Sequence, residues 1–155
     1  MKWGDHMNTR IRILTIWVTL ALVQPAAALA GEIDGTHAII GTVERLIEIN
    51  RQRIIDHVDP DTVGLPKKFI IDFSQRTMRG TPDSLVRRVV HIRRIDHIED
   101  KLVLLGADEG VAGTTGGVGW SLAIEKATGR AVLSAAGSGI AYVAFGTCKP
   151  SPAMQ

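Results

Sequence analysis

Short runs of Val, Ile and Leu, cut roughly every ten residues by turn-forming residues, dominate the chain beyond residue 31. Runs that short favour β-strands, because a helix needs a longer periodic stretch to bury a face. Four interruptions read as hairpin connections: IEI-NRQR-IID turns at 50–53, FIIDF-SQ-RTMR at Ser74 and Gln75, and IDHI-ED-KLVLL at Glu99 and Asp100. LAIEK-ATG-RAVLS turns at 127–129, where Gly129 can take the positive φ that a three-residue loop requires. These hairpins supply eight strands, and IAYVAFG at 140–146, entered through Gly137-Ser138-Gly139, adds a ninth. The predicted fold is all-β: an antiparallel meander of about eight or nine short strands, closed as a small barrel or folded as a sandwich.

Two segments leave strand and helix both open. In 36–56, Ile40, Val43, Ile47 and Ile54 fall near one helical face. In 81–95, Thr81, Pro82 and Asp83 resemble a helix start, while the Val-Val-His-Ile run that follows favours a strand.

The N-terminus reads differently from the rest. Arg10 and Arg12 precede an uncharged apolar core, ILTIWVTLALV at 13–23, and AAALA closes the segment with small residues. Ala28-Leu29-Ala30 fits a leader-peptidase site, so the expectation is a signal peptide over 1–30 cut after Ala30, a single domain over 31–155, and a periplasmic or secreted protein. The apolar core is shorter than the roughly 20 residues a spanning helix needs, so no transmembrane span is expected after processing.

Removing the leader changes the charge argument. The chain has 18 basic and 16 acidic residues; without Lys2, Arg10, Arg12 and Asp5, 15 of each remain. A neutral domain lacks the overall field that draws in nucleic acid, so no nucleic-acid partner is expected. Arg76, Arg79, Arg87, Arg88, Arg93 and Arg94 crowd locally, which suits a solvated sheet face, or more sharply an anionic ligand. The single cysteine, Cys148, allows no internal disulfide, so packing alone must hold the fold, and a structural role for the thiol is favoured.

The stretches KKFIIDFSQRT and GWSLAIEKATGRAVLSAAGSGIAYVAFGTC combine an Ile-Asp hairpin, a Trp-bearing strand, a Thr-Gly hairpin and a closing strand ending in Gly-x-Cys. The pattern, over roughly the last ninety residues, resembles small exported bacterial β-rich proteins of unassigned function. The resemblance implies an exported β-rich domain and carries no catalytic residues across.

Three features are candidates for chemistry. Ile55-Asp56-His57-Val58-Asp59 and Ile95-Asp96-His97-Ile98-Glu99 nearly repeat each other. In a strand His57 shares a face with Ile55 and Asp59 while Asp56 faces the other way, and Asp96 and His97 divide likewise. Each cluster then offers at most one His–acid pair on a face, too few ligands for a metal, so neither a metal nor another cofactor is expected. The glycine-rich 106–120, GADEGVAGTTGGVGW, has no Lys for a phosphate loop and no dinucleotide spacing, and reads as a long loop at a barrel mouth. Trp120 follows it directly; a core position is the plainer role, and a ligand-contacting rim the sharper one. Tyr142 and Phe145 lie on opposite faces of the closing strand, so only one can join Trp120, and Trp120 with Tyr142 is the candidate ligand site.

No catalytic residues emerge, since Ser121, Ser134 and Ser138 lack a nucleophile-elbow context. The expected function is a non-enzymatic exported β-domain that binds a small ligand or an envelope partner. An envelope inhibitor of secreted enzymes stands second, and a hydrolase using His57 or His97 with a carboxylate third.

Overall fold

The computed structural model of the chain describes residues 33–108 and 117–151. The expected leader, with its cleavage site, and positions 109–116 of the glycine-rich segment lie outside the described residues. Nine strands follow in order: β1 (Ile39–Asn50), β2 (Ile54–Asp56), β3 (Lys68–Asp72), β4 (Thr77–Gly80), β5 (Val89–Ile98), β6 (Lys101–Asp108), β7 (Val118–Glu125), β8 (Arg130–Gly137) and β9 (Ile140–Pro150). A single 3₁₀ turn, Pro60–Val63, capped by Asp59, lies between β2 and β3. The chain is all-β, and the expected hairpins at 50–53, Ser74-Gln75, Glu99-Asp100 and 127–129 all form.

From β3 to β9 each strand pairs antiparallel with the next, and β9 returns to run alongside β1 for the length of both. That closure makes an eight-stranded barrel rather than a sandwich. The short β2 is the extra strand. It pairs with Ile47, Glu48 and Ile49 on the edge of β1 that β3 occupies lower down. Among the described residues, no helix is long and apolar enough to cross a membrane.

Alternation sorts the side chains cleanly on β6 to β9. Leu102, Leu104, Leu122, Ile124, Ala131, Leu133, Ala144 and Cys148 face inward and are buried, while outward positions carry Lys101, Glu125 and Arg130. Burial pushes the Cys148 thiol up to about 12, consistent with a packing role. One barrel end is shut: tight hairpins gather there, and Ile33, 3% exposed, plugs it with its N–H bonded to the Lys126 carbonyl. The opposite end, the mouth, collects the long connections 57–67 and 81–88.

Both ambiguous segments contain part or all of a bulged strand. In β1 the register slips between Val43 and Arg45, so the inward series Ile39, Gly41, Val43 resumes at Leu46. In β5 it slips between Ile92 and Arg94, and the inward series resumes at Ile95. A bulge adds one residue to a strand, so the inward spacing becomes three between Val43 and Leu46, while Ile40 and Ile47 of the helix-like series fall on the other face. The helix-like start at Thr81 forms no helix. Thr81 is buried and bonds through its N–H to the Lys68 carbonyl, and the chain stays irregular until Val89.

The β5 bulge is held from the neighbouring β3–β4 hairpin. Arg76 sits at φ 50°, left-handed for a non-glycine residue. Its Nε donates to the Ile92 carbonyl (3.3 Å) and its Nη2 to the Arg93 carbonyl (2.7 Å). The bulge takes these carbonyls out of the regular ladder, and the guanidinium gives them donors.

Candidate functional site

Trp120 and Tyr142 come together at one level of the barrel. Trp120 is paired with Gly106 on β6 and with Ala135 on β8, and Ala135 is paired in turn with Tyr142 on β9. Directly opposed residues share a face, so all four point inward. Gly106 is essential to this layer. A Cβ there would overlap Cζ2 and Cε2 of the Trp120 ring, so only glycine lets the indole lie flat across β6. The same device recurs at Gly41, over which the Phe69 ring lies.

Above this layer is a cavity of about 120 Å³. Its floor and walls include Phe69, Met78, Val90, Trp120, Leu133, Ala135 and Tyr142, and Val63, Gly64, Leu65 and Pro66 close one side. Arg88 and Asp108 stand at its upper rim, joined by a 2.5 Å ion pair. Trp120 is 8% exposed, so the plainer reading of it, as a core residue, holds as a description of burial. Yet its Nε1 donor is buried and has no hydrogen-bond partner. A buried donor without a partner costs roughly 1–3 kcal/mol, so this one calls for an explanation. Phe145 faces outward beside Val132, 41% exposed, on the other face from Tyr142 as alternation requires. Burial, followed by the nearby Glu48 carboxylate, holds the Tyr142 phenol above its ordinary value.

The two Ile-Asp-His stretches are far apart and unlike. The first is a correction to the strand reading. β2 ends at Asp56, and His57 takes a left-handed φ of 57°, so alternation does not govern it. His57 lies 3.9 Å from Asp56, whose carboxylate accepts from Arg45 Nε at 2.8 Å. The Arg45 guanidinium pulls the Asp56 carboxyl down to about 2, fixing it as an ion-pair partner rather than a proton carrier. In the second stretch Asp96 accepts from Arg94 Nε at 2.9 Å, and His97 stands exposed near the closed end of the barrel, beside Gly35. β2 belongs to the mouth, so the clusters occupy opposite ends. Among the described residues no group of three or more His, Cys, Asp or Glu side chains could hold a metal ion. Ser121 and Ser134 hydrogen-bond each other at 2.7 Å on the outer face.

Comparison with protein-family models, curated proteins and solved structures returns no match. What the site can do must therefore be argued from its own chemistry.

Sequence reasoning passed over Asp108, and saw Arg88 only as one of several arginines. The signal was Asp108 lying two residues beyond Gly106 on the same inward face.

Proposed function

We propose that this chain is an exported, non-enzymatic barrel that binds a small apolar molecule carrying one hydrogen-bond acceptor. The observation behind this reading is the buried, unpartnered Nε1 of Trp120, a residue that lines a mostly apolar cavity. A carbonyl or ether oxygen on an apolar body satisfies the indole while filling the space.

Size narrows the class. An apolar cavity of about 150 Å³ accommodates benzene, so 120 Å³ suits a compact ring or the end of a longer chain. Cyclopentanone and its isostere methylenecyclopentane separate shape from acceptor. Calorimetric titration should show cyclopentanone binding more tightly, by roughly fivefold for one hydrogen bond, and Trp120→Phe should erase that preference. Equal affinity of the two compounds for the unmutated chain would rule the acceptor out.

The exported location rests on the leader-like 1–30. Mass spectrometry of protein from the periplasm or medium should find Gly31 at the N-terminus, and a full-length cytosolic chain would overturn it.

A further inference from the structure

The ladder between β5 and β6 does not run the full length of the two strands. It ends toward the mouth at Ile92 opposite Gly106. Beyond that point Val89, Val90 and His91 find their partners on β4, at Arg79, Met78 and Thr77. Ala107 and Asp108 find theirs on β7, at Gly119 and Val118. On the edges that face each other, the β5–β6 ladder thus stops at Gly106, over which the Trp120 indole lies, and leaves the two strands unpaired above it. The bulge beside Ile92, which Arg76 pins, is where the two strands part, in keeping with the way a bulge bends and twists its strand.

The division opens onto the cavity. Val90 on one side and Asp108 and Val118 on the other all line it. One described ion pair spans the gap: Arg88, just before β5, meets Asp108 at the end of β6, at 2.5 Å. The two side chains are 31% and 19% exposed, dry enough to hold a defined contact and wet enough to separate without burying a bare charge.

We propose that the split between β5 and β6 is the side entrance to the Trp120 cavity, and that the Arg88–Asp108 pair is its latch. The role of the cavity rests on the ligand-binding reading above; the latch itself does not. With the pair closed, Trp120 Nε1 is sealed from solvent. With it open, Val90 and Val118 can move apart, and both water and ligand reach the indole. Entry is then sensitive to ionic strength, because a partly exposed ion pair is screened by salt.

The test follows solvent exchange of the Trp120 indole N–H by NMR in the ¹⁵N-labelled chain, with the resonance assigned by its loss in Trp120→Phe. Arg88→Gln and Asp108→Asn should each speed exchange by roughly two- to fivefold, the factor a pair of this exposure implies. The backbone amides of Leu104 and Leu122, below the split, should keep their rates. Added salt should speed indole exchange in the unmutated chain and change it little in either variant. The swapped Arg88→Asp/Asp108→Arg chain should return to the slow rate, which separates a latch from general damage to the fold. Unchanged indole exchange in the single variants would overturn the latch, as would equal acceleration at Leu104 and Leu122. Cyclopentanone is added last. If it leaves the indole resonance unmoved while the latch results hold, the ligand reading fails and the entrance stands. If it binds while the exchange rates ignore Arg88 and Asp108, the reverse follows.

Discussion

Trp120 is held by two small neighbours and left with one unsatisfied atom. Gly106 admits the ring flat against β6, and Ala135 leaves room between it and Tyr142. Gly106→Ala should therefore cost about 1–3 kcal/mol, because the new methyl group and the indole cannot share the same space. Urea titration gives the loss directly, and an accompanying shift in tryptophan emission would show the ring displaced. Truncation and conservative replacement should separate at Trp120 itself. Trp120→Ala removes a large buried ring and should lose about 3–5 kcal/mol. Trp120→Phe also deletes the orphan donor, an offset that should keep its loss to about 1 kcal/mol. A Trp120→Phe loss as large as that of Trp120→Ala would mean that the indole N–H is satisfied in solution.

At the scale of the element, the two bulged strands and the extra strand β2 decide the barrel's shape. Arg76 tolerates a left-handed backbone because its side chain serves two carbonyls at the β5 bulge. Arg76→Gly relieves the backbone yet abandons both bonds, so a net loss of about 1–2 kcal/mol is expected, with faster amide exchange concentrated around Ile92. A neutral or stabilising Arg76→Gly would show that the clamp contributes nothing. β2 is attached to β1 partly through Arg45 and Asp56. The Asp56 carboxyl ionises at about 2 in the folded chain against an ordinary 3.8, so the native state binds fewer protons than the unfolded one across that interval. Its contribution is present above about pH 4 and fades as pH falls toward 2. Urea midpoints followed through that window should fall more steeply for the unmutated chain than for Asp56→Asn. Parallel acid limbs would remove the pair from the account.

The described residues form a closed sheet whose first long strand pairs with its last, so neither β1 nor β9 can loosen without opening the barrel. Leu46 on β1 and Leu122 on β7 are both about fully buried, on strands joined only through others. Leu46→Ala and Leu122→Ala should each cost about 2–5 kcal/mol and lower the urea midpoint of one shared transition, with the same midpoint by fluorescence and by circular dichroism. Two separated transitions would mean that the barrel unfolds in parts.

Local chemistry alone determined the strands and their hairpins. Gly129, Ser74-Gln75 and Glu99-Asp100 turn the chain whatever surrounds them, and strict alternation in 118–137 marks its inward residues without help from elsewhere. The same alternation showed that only one of Tyr142 and Phe145 could join Trp120, and the β7–β8–β9 register decided that it is Tyr142. Tertiary structure decided the rest, for identifiable reasons. Barrel closure depends on β1 meeting β9, a pairing between distant segments that no local pattern encodes. The bulges in β1 and β5 are set by pairing with a neighbouring strand, so neither segment displays them by itself. Arg88 and Asp108 stand twenty residues apart in the chain and become a pair only because the β5–β6 ladder stops short of them. The orphan donor on Trp120 is likewise a tertiary fact: an indole N–H is always present in the sequence, and only the folded packing buries it without a partner.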